Sequence, residues 1–153
     1  MISSINEIKK DLENRDRKEL LGYCLRLAKY KKENKELLAF LLFESDNVNN
    51  YVQNVKQETN ALFEEINRSN IYYIKKSIRK ILRNINKHVR FALSRQVEAE
   101  LLIYFCNCIK TYSIPVKKSR QLINLIESQQ KKIDTALSSL HPDLQYDLRK
   151  GME

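Results

Sequence analysis

Glycine and proline are nearly absent from this chain, which has two of each among its 153 residues. Tight hairpin turns and nucleotide-binding loops depend on glycine, and proline is common in the turns between strands. With so few of these residues, the chain cannot readily form the many turns that a β-sandwich, a barrel or a Rossmann-type sheet requires. The sequence therefore predicts an all-α fold.

Local start and stop signals divide the chain into six to eight helices. Two capping boxes, Ser4–Glu7 and Asp16–Glu19, predict the first two helix starts, because each pairs a capping side chain with an acid three residues later. Between the signals, apolar residues recur every three or four positions. Antiparallel helices in an irregular bundle, or a short α-solenoid of HEAT-like or armadillo-like pairs, would both give this pattern. The later signals are Asn34, Ser45–Asn47, Ser69, Ser94, Ile114–Pro115 and His141–Pro142.

No stretch rich in glycine, proline or serine divides the chain, so residues 1–153 are predicted to form a single helical domain. The run Leu37–Phe43 is apolar nearly all round, which predicts a central helix. Residues at the centres of successive apolar faces should share one core. They are Leu38, Leu41, Leu42, Ile78, Ile85, Leu101, Phe105 and Ile126.

The longest apolar runs, Leu37–Phe43 and Leu101–Cys106, are far shorter than the roughly 20 residues that span a bilayer. The first residues become charged at Glu7 without an apolar signal segment. We therefore expect no membrane span and a cytoplasmic location.

The three cysteines, Cys24, Cys106 and Cys108, are an odd number, and cytoplasmic thiols are normally reduced. Cys106 and Cys108 lie about 200° apart around a helix, so one face cannot present both to a metal. We expect all three to be small buried side chains. The sequence also lacks a glycine-rich phosphate loop and a His-Glu-x-x-His motif, and it predicts neither a metal nor a cofactor.

Charge is the most informative feature for function, because the net charge of +9 comes from one segment. Between Arg68 and Arg95 there are nine basic residues and no acidic one, whereas acids and bases balance in the rest of the chain. This segment is a predicted helix, so its bases have no acid for the usual pairing four residues away.

A cationic face is expected along this helix, opposite a stripe of isoleucines. At about 100° per residue, seven of its bases fall within an arc of about 140°. Tyr72 lies within the same arc and Tyr73 lies at its edge. The seven bases are Lys75, Lys76, Arg79, Lys80, Arg83, Lys87 and Arg90.

Three interpretations compete for this face. In the first interpretation the protein is structural and has no ligand, and the face is a solvated surface. Its charge is then neutralised by acids of neighbouring helices, such as Glu64, Glu65, Glu98 or Glu100. Alternatively, it binds a polyanion such as nucleic acid, with cations on phosphates and tyrosines stacked on bases. The third interpretation is a docking site for an acidic protein or an anionic membrane. A helix that binds a membrane inserts its apolar side into the lipid, but the isoleucine stripe of this helix is needed for the core. An anionic membrane is therefore the least favoured of these partners.

An enzymatic alternative comes from the sequence Arg83-Asn84-Ile85-Asn86-Lys87-His88. It resembles the Arg-Asn-x-x-x-His motif of the HEPN ribonucleases, which are all-α domains that cleave RNA without a metal across a dimer. The resemblance implies that His88 transfers protons and that Arg83 steadies a phosphate. No other set of catalytic residue types stands out, so a non-enzymatic interaction module remains the main prediction.

Overall fold

Eight α-helices account for most of the protein, which is 81% helical, in the computed structural model that describes residues 2–152. No strand occurs in that range, and the helix packing is that of a helical bundle. The predicted all-α class is confirmed. The helices are α1 (Ile5–Glu13), α2 (Arg17–Tyr30), α3 (Lys32–Ala39), α4 (Val48–Glu64), α5 (Ile71–Ala92), α6 (Arg95–Thr111), α7 (Arg120–Ser138) and α8 (Pro142–Lys150). A π-helical turn (Phe40–Glu44) follows α3, and a 3-10 turn (Val116–Lys118) precedes α7.

The chain divides into two compact units, Met1–Ser45 and Asp46–Glu153. The first unit contains α1 to α3, and the second contains α4 to α8. Among residues 2–152, no helix is both long enough and apolar enough to cross a membrane. The single domain expected from the sequence remains a prediction.

Side-chain caps place most helix starts where the sequence predicts them. Ser4 and Glu7 form the complete capping box at α1. Asp16 accepts a hydrogen bond from the Glu19 amide at 2.8 Å, and Ser94 accepts one from the Val97 amide at 3.3 Å. These caps succeed as signals because both partners lie within one turn of the chain.

The predicted cap at Asn34 is wrong. Helix α3 already begins at Lys32, and the Asn34 side chain instead donates to the Leu27 carbonyl at 2.8 Å, joining α3 to α2. The chain then leaves α-helical geometry at Phe40, where the Ser45 amide bonds the Phe40 carbonyl at 2.9 Å in a π-helical turn.

The predicted central position of Leu37–Phe43 is also wrong. Leu41 and Leu42 are exposed, by 55% and 61%, and only Phe40 in this run is buried. A segment of about two turns directs few side chains the same way, and the π-helical turn spreads them further around the axis. Apolar composition alone therefore misplaced this segment.

The core of the second unit forms where α4, α5 and α6 pack against one another and α6 packs on α7. Four predicted core residues are almost completely buried here, namely Ile78, Ile85, Leu101 and Phe105. Ile126 on α7 is half-buried, as is Leu38 in the first unit. This core holds α5 by its isoleucine stripe.

We predict that Leu101→Ala lowers the free energy of unfolding by about 2 to 5 kcal/mol, because the 1% exposed side chain leaves a cavity. The matched control is Leu41→Ala, which removes the same atoms from an exposed site and should change stability by less than about 0.5 kcal/mol. Denaturant unfolding of both variants measures the difference. Equal losses would contradict the burial described for the two leucines.

Candidate functional site

Helix α5 carries the predicted cationic face, and its orientation is set by burial. Asn70 caps the helix by accepting a hydrogen bond from the Tyr73 amide at 3.0 Å. One side of the helix is buried along its whole length, and the bases occupy the other. The buried residues are Ile74, Ile78, Ile81, Leu82, Ile85 and Phe91.

The predicted site residues all lie on α5 and point mostly to solvent. Lys75 and Lys87 are half-buried, whereas the other five cations are exposed. Tyr72 is 61% exposed, and its ring meets the exposed Tyr73 ring edge-on, with 5.3 Å between centroids. The exposed cations are Lys76, Arg79, Lys80, Arg83 and Arg90.

The acids expected to neutralise this face form no ion pair with its exposed cations within residues 2–152. Glu98 pairs with Arg95 at 3.2 Å, just beyond the end of α5, and Glu100 pairs with Lys56 of α4 at 2.8 Å. Glu64 and Glu65 are exposed. Within residues 2–152, no ion pair joins any of the five exposed cations to a carboxylate. Their positive charge is therefore not balanced by the fold.

The side chain that bridges two cations of this face is a neutral amide, Gln121. The Gln121 Oε1 atom, in the first turn of α7, accepts hydrogen bonds from Lys75 Nζ and from Arg79 Nη2, both at 3.1 Å. An amide oxygen satisfies these donors without cancelling their charge. These hydrogen bonds also bring the start of α7 beside α5.

Three further cations at the start of α7 were not predicted from the sequence. Lys117, Lys118 and Arg120 are exposed and immediately precede Gln121. The sequence signal for them is a second stretch without acids, between Glu100 and Glu127, which lies outside the predicted cationic helix. Gln121 therefore connects the cationic face of α5 with a second cationic segment that is about forty residues away in sequence.

His88 lies in a hydrogen-bond network between α4 and α5, away from Arg83. Its Nδ1 atom is hydrogen-bonded to the Tyr51 hydroxyl, and its Nε2 atom lies 3.2 Å from Glu58 Oε2. The imidazole side chain is only 13% exposed, whereas Arg83 is exposed. Within residues 2–152 no hydrogen bond joins Arg83 to His88. The ribonuclease alternative remains a prediction.

The hydrogen bond from His88 lowers the pKa of Glu58, and this effect exceeds the opposing effect of burial. The positive charge of Lys87 acts in the same direction. Glu58 therefore stays ionised in the fold at a lower pH than in the unfolded chain, which couples this network to stability.

The three cysteines occupy different environments. Cys108 is buried and Cys106 half-buried, and burial raises the pKa of each thiol to about 11. Cys24 is exposed, which corrects the expectation that all three are buried; no residue of α2 is buried. Within residues 2–152, no three His, Cys, Asp or Glu residues are placed to hold a metal ion. The absence of a metal or catalytic role remains a prediction.

Comparison of the chain with models of protein families, with curated proteins and with solved structures finds no match. The charge and exposure of α5 and of the start of α7 are therefore the basis for assigning a function.

We predict that Glu58→Gln destabilises the protein at neutral pH and that the difference from wild type disappears in acid. The ionised Glu58 contributes stability above its ordinary unfolded pKa of about 4.3, and this contribution is lost as the pH falls through the lower folded pKa. Urea unfolding of both proteins from pH 7 to pH 3 measures the difference. A difference that does not change with pH would show that Glu58 is not coupled in this way.

We predict that Cys24 reacts with a thiol reagent before the other two cysteines, because it is exposed and the others are protected by burial and by a raised pKa. Mass spectrometry of the native protein after brief alkylation at pH 8 identifies the first modified site. Cys24→Ser should remove that rapid phase. Faster modification of Cys106 or Cys108 would contradict the packing of α6.

Proposed function

We propose that this protein is a non-enzymatic interaction module that binds nucleic acid through the outward face of α5. The observation that carries the proposal is the set of five exposed cations that form no ion pair with a carboxylate within residues 2–152, namely Lys76, Arg79, Lys80, Arg83 and Arg90. Unpaired like charges on one helix face repel one another. An external polyanion would remove that cost and supply the missing counter-charge.

Helix geometry gives this face the spacing of a phosphate-binding surface. Successive cations are mostly three or four residues apart, which places them about 4.5 to 6 Å apart along the axis. Each phosphate they neutralise releases condensed counterions, and this release supplies most of the affinity of non-specific nucleic-acid binding. The face therefore supports binding without requiring sequence recognition.

An acidic protein is the competing partner, and the composition of the face favours nucleic acid. Charged residues are depleted at the cores of protein–protein interfaces, where affinity depends on buried apolar and aromatic anchors. Here the exposed centre of the face is almost wholly Lys and Arg, and the aromatic residues Tyr72 and Tyr73 lie at its start. Phosphates and bases match that combination better than an acidic protein surface does.

We predict that the triple change of Arg79, Arg83 and Arg90 to Gln weakens binding to unrelated nucleic-acid sequences alike. The slope of log affinity against log salt should fall by about 0.7 to 0.9 for each phosphate that is no longer neutralised. The fold should survive, since all three side chains are exposed. Fluorescence anisotropy over a salt series measures the slopes, and circular dichroism checks the fold.

The matched control changes Lys131, Arg149 and Lys150 to Gln, which removes the same charge from exposed positions outside the two acid-free stretches. It should leave the salt slope close to that of wild type. If both triple variants weaken binding equally, only net charge matters and α5 is not the site. If wild type shows no salt-sensitive binding, the proposed function is wrong.

A further inference from the structure

We infer that the ligand of this surface is a single strand, RNA or DNA, with one unpaired base stacked on Tyr72 and the backbone continuing from α5 to the start of α7. This inference rests on the proposed function and adds the class of nucleic acid.

Tyr72 is a large aromatic side chain that the fold does not use. It is 61% exposed, and within residues 2–152 its hydroxyl forms no hydrogen bond. Its ring contacts the ring of Tyr73, which is itself exposed. An aromatic ring held at the surface by a capped helix is a platform for a base, since every base has a face that can stack.

Tyr72 is in line with the arginines. At 100° and 1.5 Å per residue, Arg79, Arg83 and Arg90 lie within about 20° of the direction of Tyr72, and Arg79 is about 10 Å further along the axis. A base on Tyr72 therefore begins a path whose phosphates meet successive guanidinium groups. In a duplex the faces of the bases are covered by their neighbours, so only an unpaired base can use the ring.

The cationic surface also passes from one helix to another. Gln121 binds Lys75 and Arg79 of α5, and the exposed Lys117, Lys118 and Arg120 lie directly before it in the chain. A single strand rotates freely about its backbone bonds and can follow both segments. Duplex DNA is stiff, with a persistence length of about 50 nm, and cannot turn within one small protein without a large bending cost.

The test compares the affinity of the full chain for single-stranded RNA, single-stranded DNA and the duplex of one sequence, and for heparin, a polyanion without bases. We expect both single strands to bind more tightly than the duplex. Tyr72→Ala should weaken single-strand binding by about 5- to 150-fold and leave heparin binding unchanged, because it removes stacking alone. Tyr72→Phe keeps the ring and should retain the affinity.

Tyr146→Ala is the matched control, since Tyr146 on α8 is also 61% exposed. It should have no effect on any ligand. Changing Lys117, Lys118 and Arg120 together to Gln should reduce the salt slope for single strands by about 0.7 for each phosphate that is no longer neutralised. The triple variant of Lys131, Arg149 and Lys150 again controls for net charge.

The inference is overturned if the duplex binds as tightly as the single strands, or if Tyr72→Ala affects single strands and heparin alike. An unchanged salt slope in the Lys117, Lys118 and Arg120 variant would refute the path to α7. In all these cases salt-sensitive binding through the α5 arginines could persist, and the proposed function would stand. Absence of salt-sensitive binding to every ligand would overturn both.

Discussion

Burial of the isoleucine stripe fixes the direction of every other side chain on α5. Ile78 and Ile85 are almost completely enclosed by the packing of α4, α5 and α6, and full burial of such a side chain contributes about 1.5 to 3 kcal/mol. Turning the helix by one residue would lose that contribution and bury arginine. The core therefore holds the cations at the surface, despite a repulsion of a few tenths of a kcal/mol for each like-charged pair.

The parts of the fold that the sequence predicted depend on interactions within one turn or one helix. Ser4, Asp16 and Ser94 cap amides three residues away, and the stripe of α5 is a single periodic pattern. The wrong predictions of the fold, which are the Asn34 cap, the burial of Cys24 and the central position of Leu37–Phe43, all lie in the first unit. In the run Leu37–Phe43 the apolar residues exceed what two turns can bury, and the backbone opens into a π-helical turn at Phe40. The number of apolar residues in a segment does not determine how many of their side chains are buried.

In the candidate site, too, features within one helix were predictable from the sequence, whereas contacts between helices were not. The face of α5 followed from composition and helical angle, because both are local. The contact of Gln121 with Lys75 and Arg79, and the hydrogen bonds of His88 to α4, depend on which helices pack together. A six-residue motif fixes the types of its side chains and their angle on one helix, whereas their partners come from α4 and α7. The sequence contained these residues but not the packing that places them.

Gln121 makes the charge of this surface depend on a single functional group. The Gln121 amide oxygen accepts hydrogen bonds from Lys75 and Arg79, and the amide group carries no charge. Deamidation would leave the shape and the acceptor in place and put a negative charge 3.1 Å from both cations. The two salt bridges formed would provide an internal counter-ion for Lys75 and Arg79. Deamidation of this single side chain would thus neutralise part of the cationic surface from within the protein.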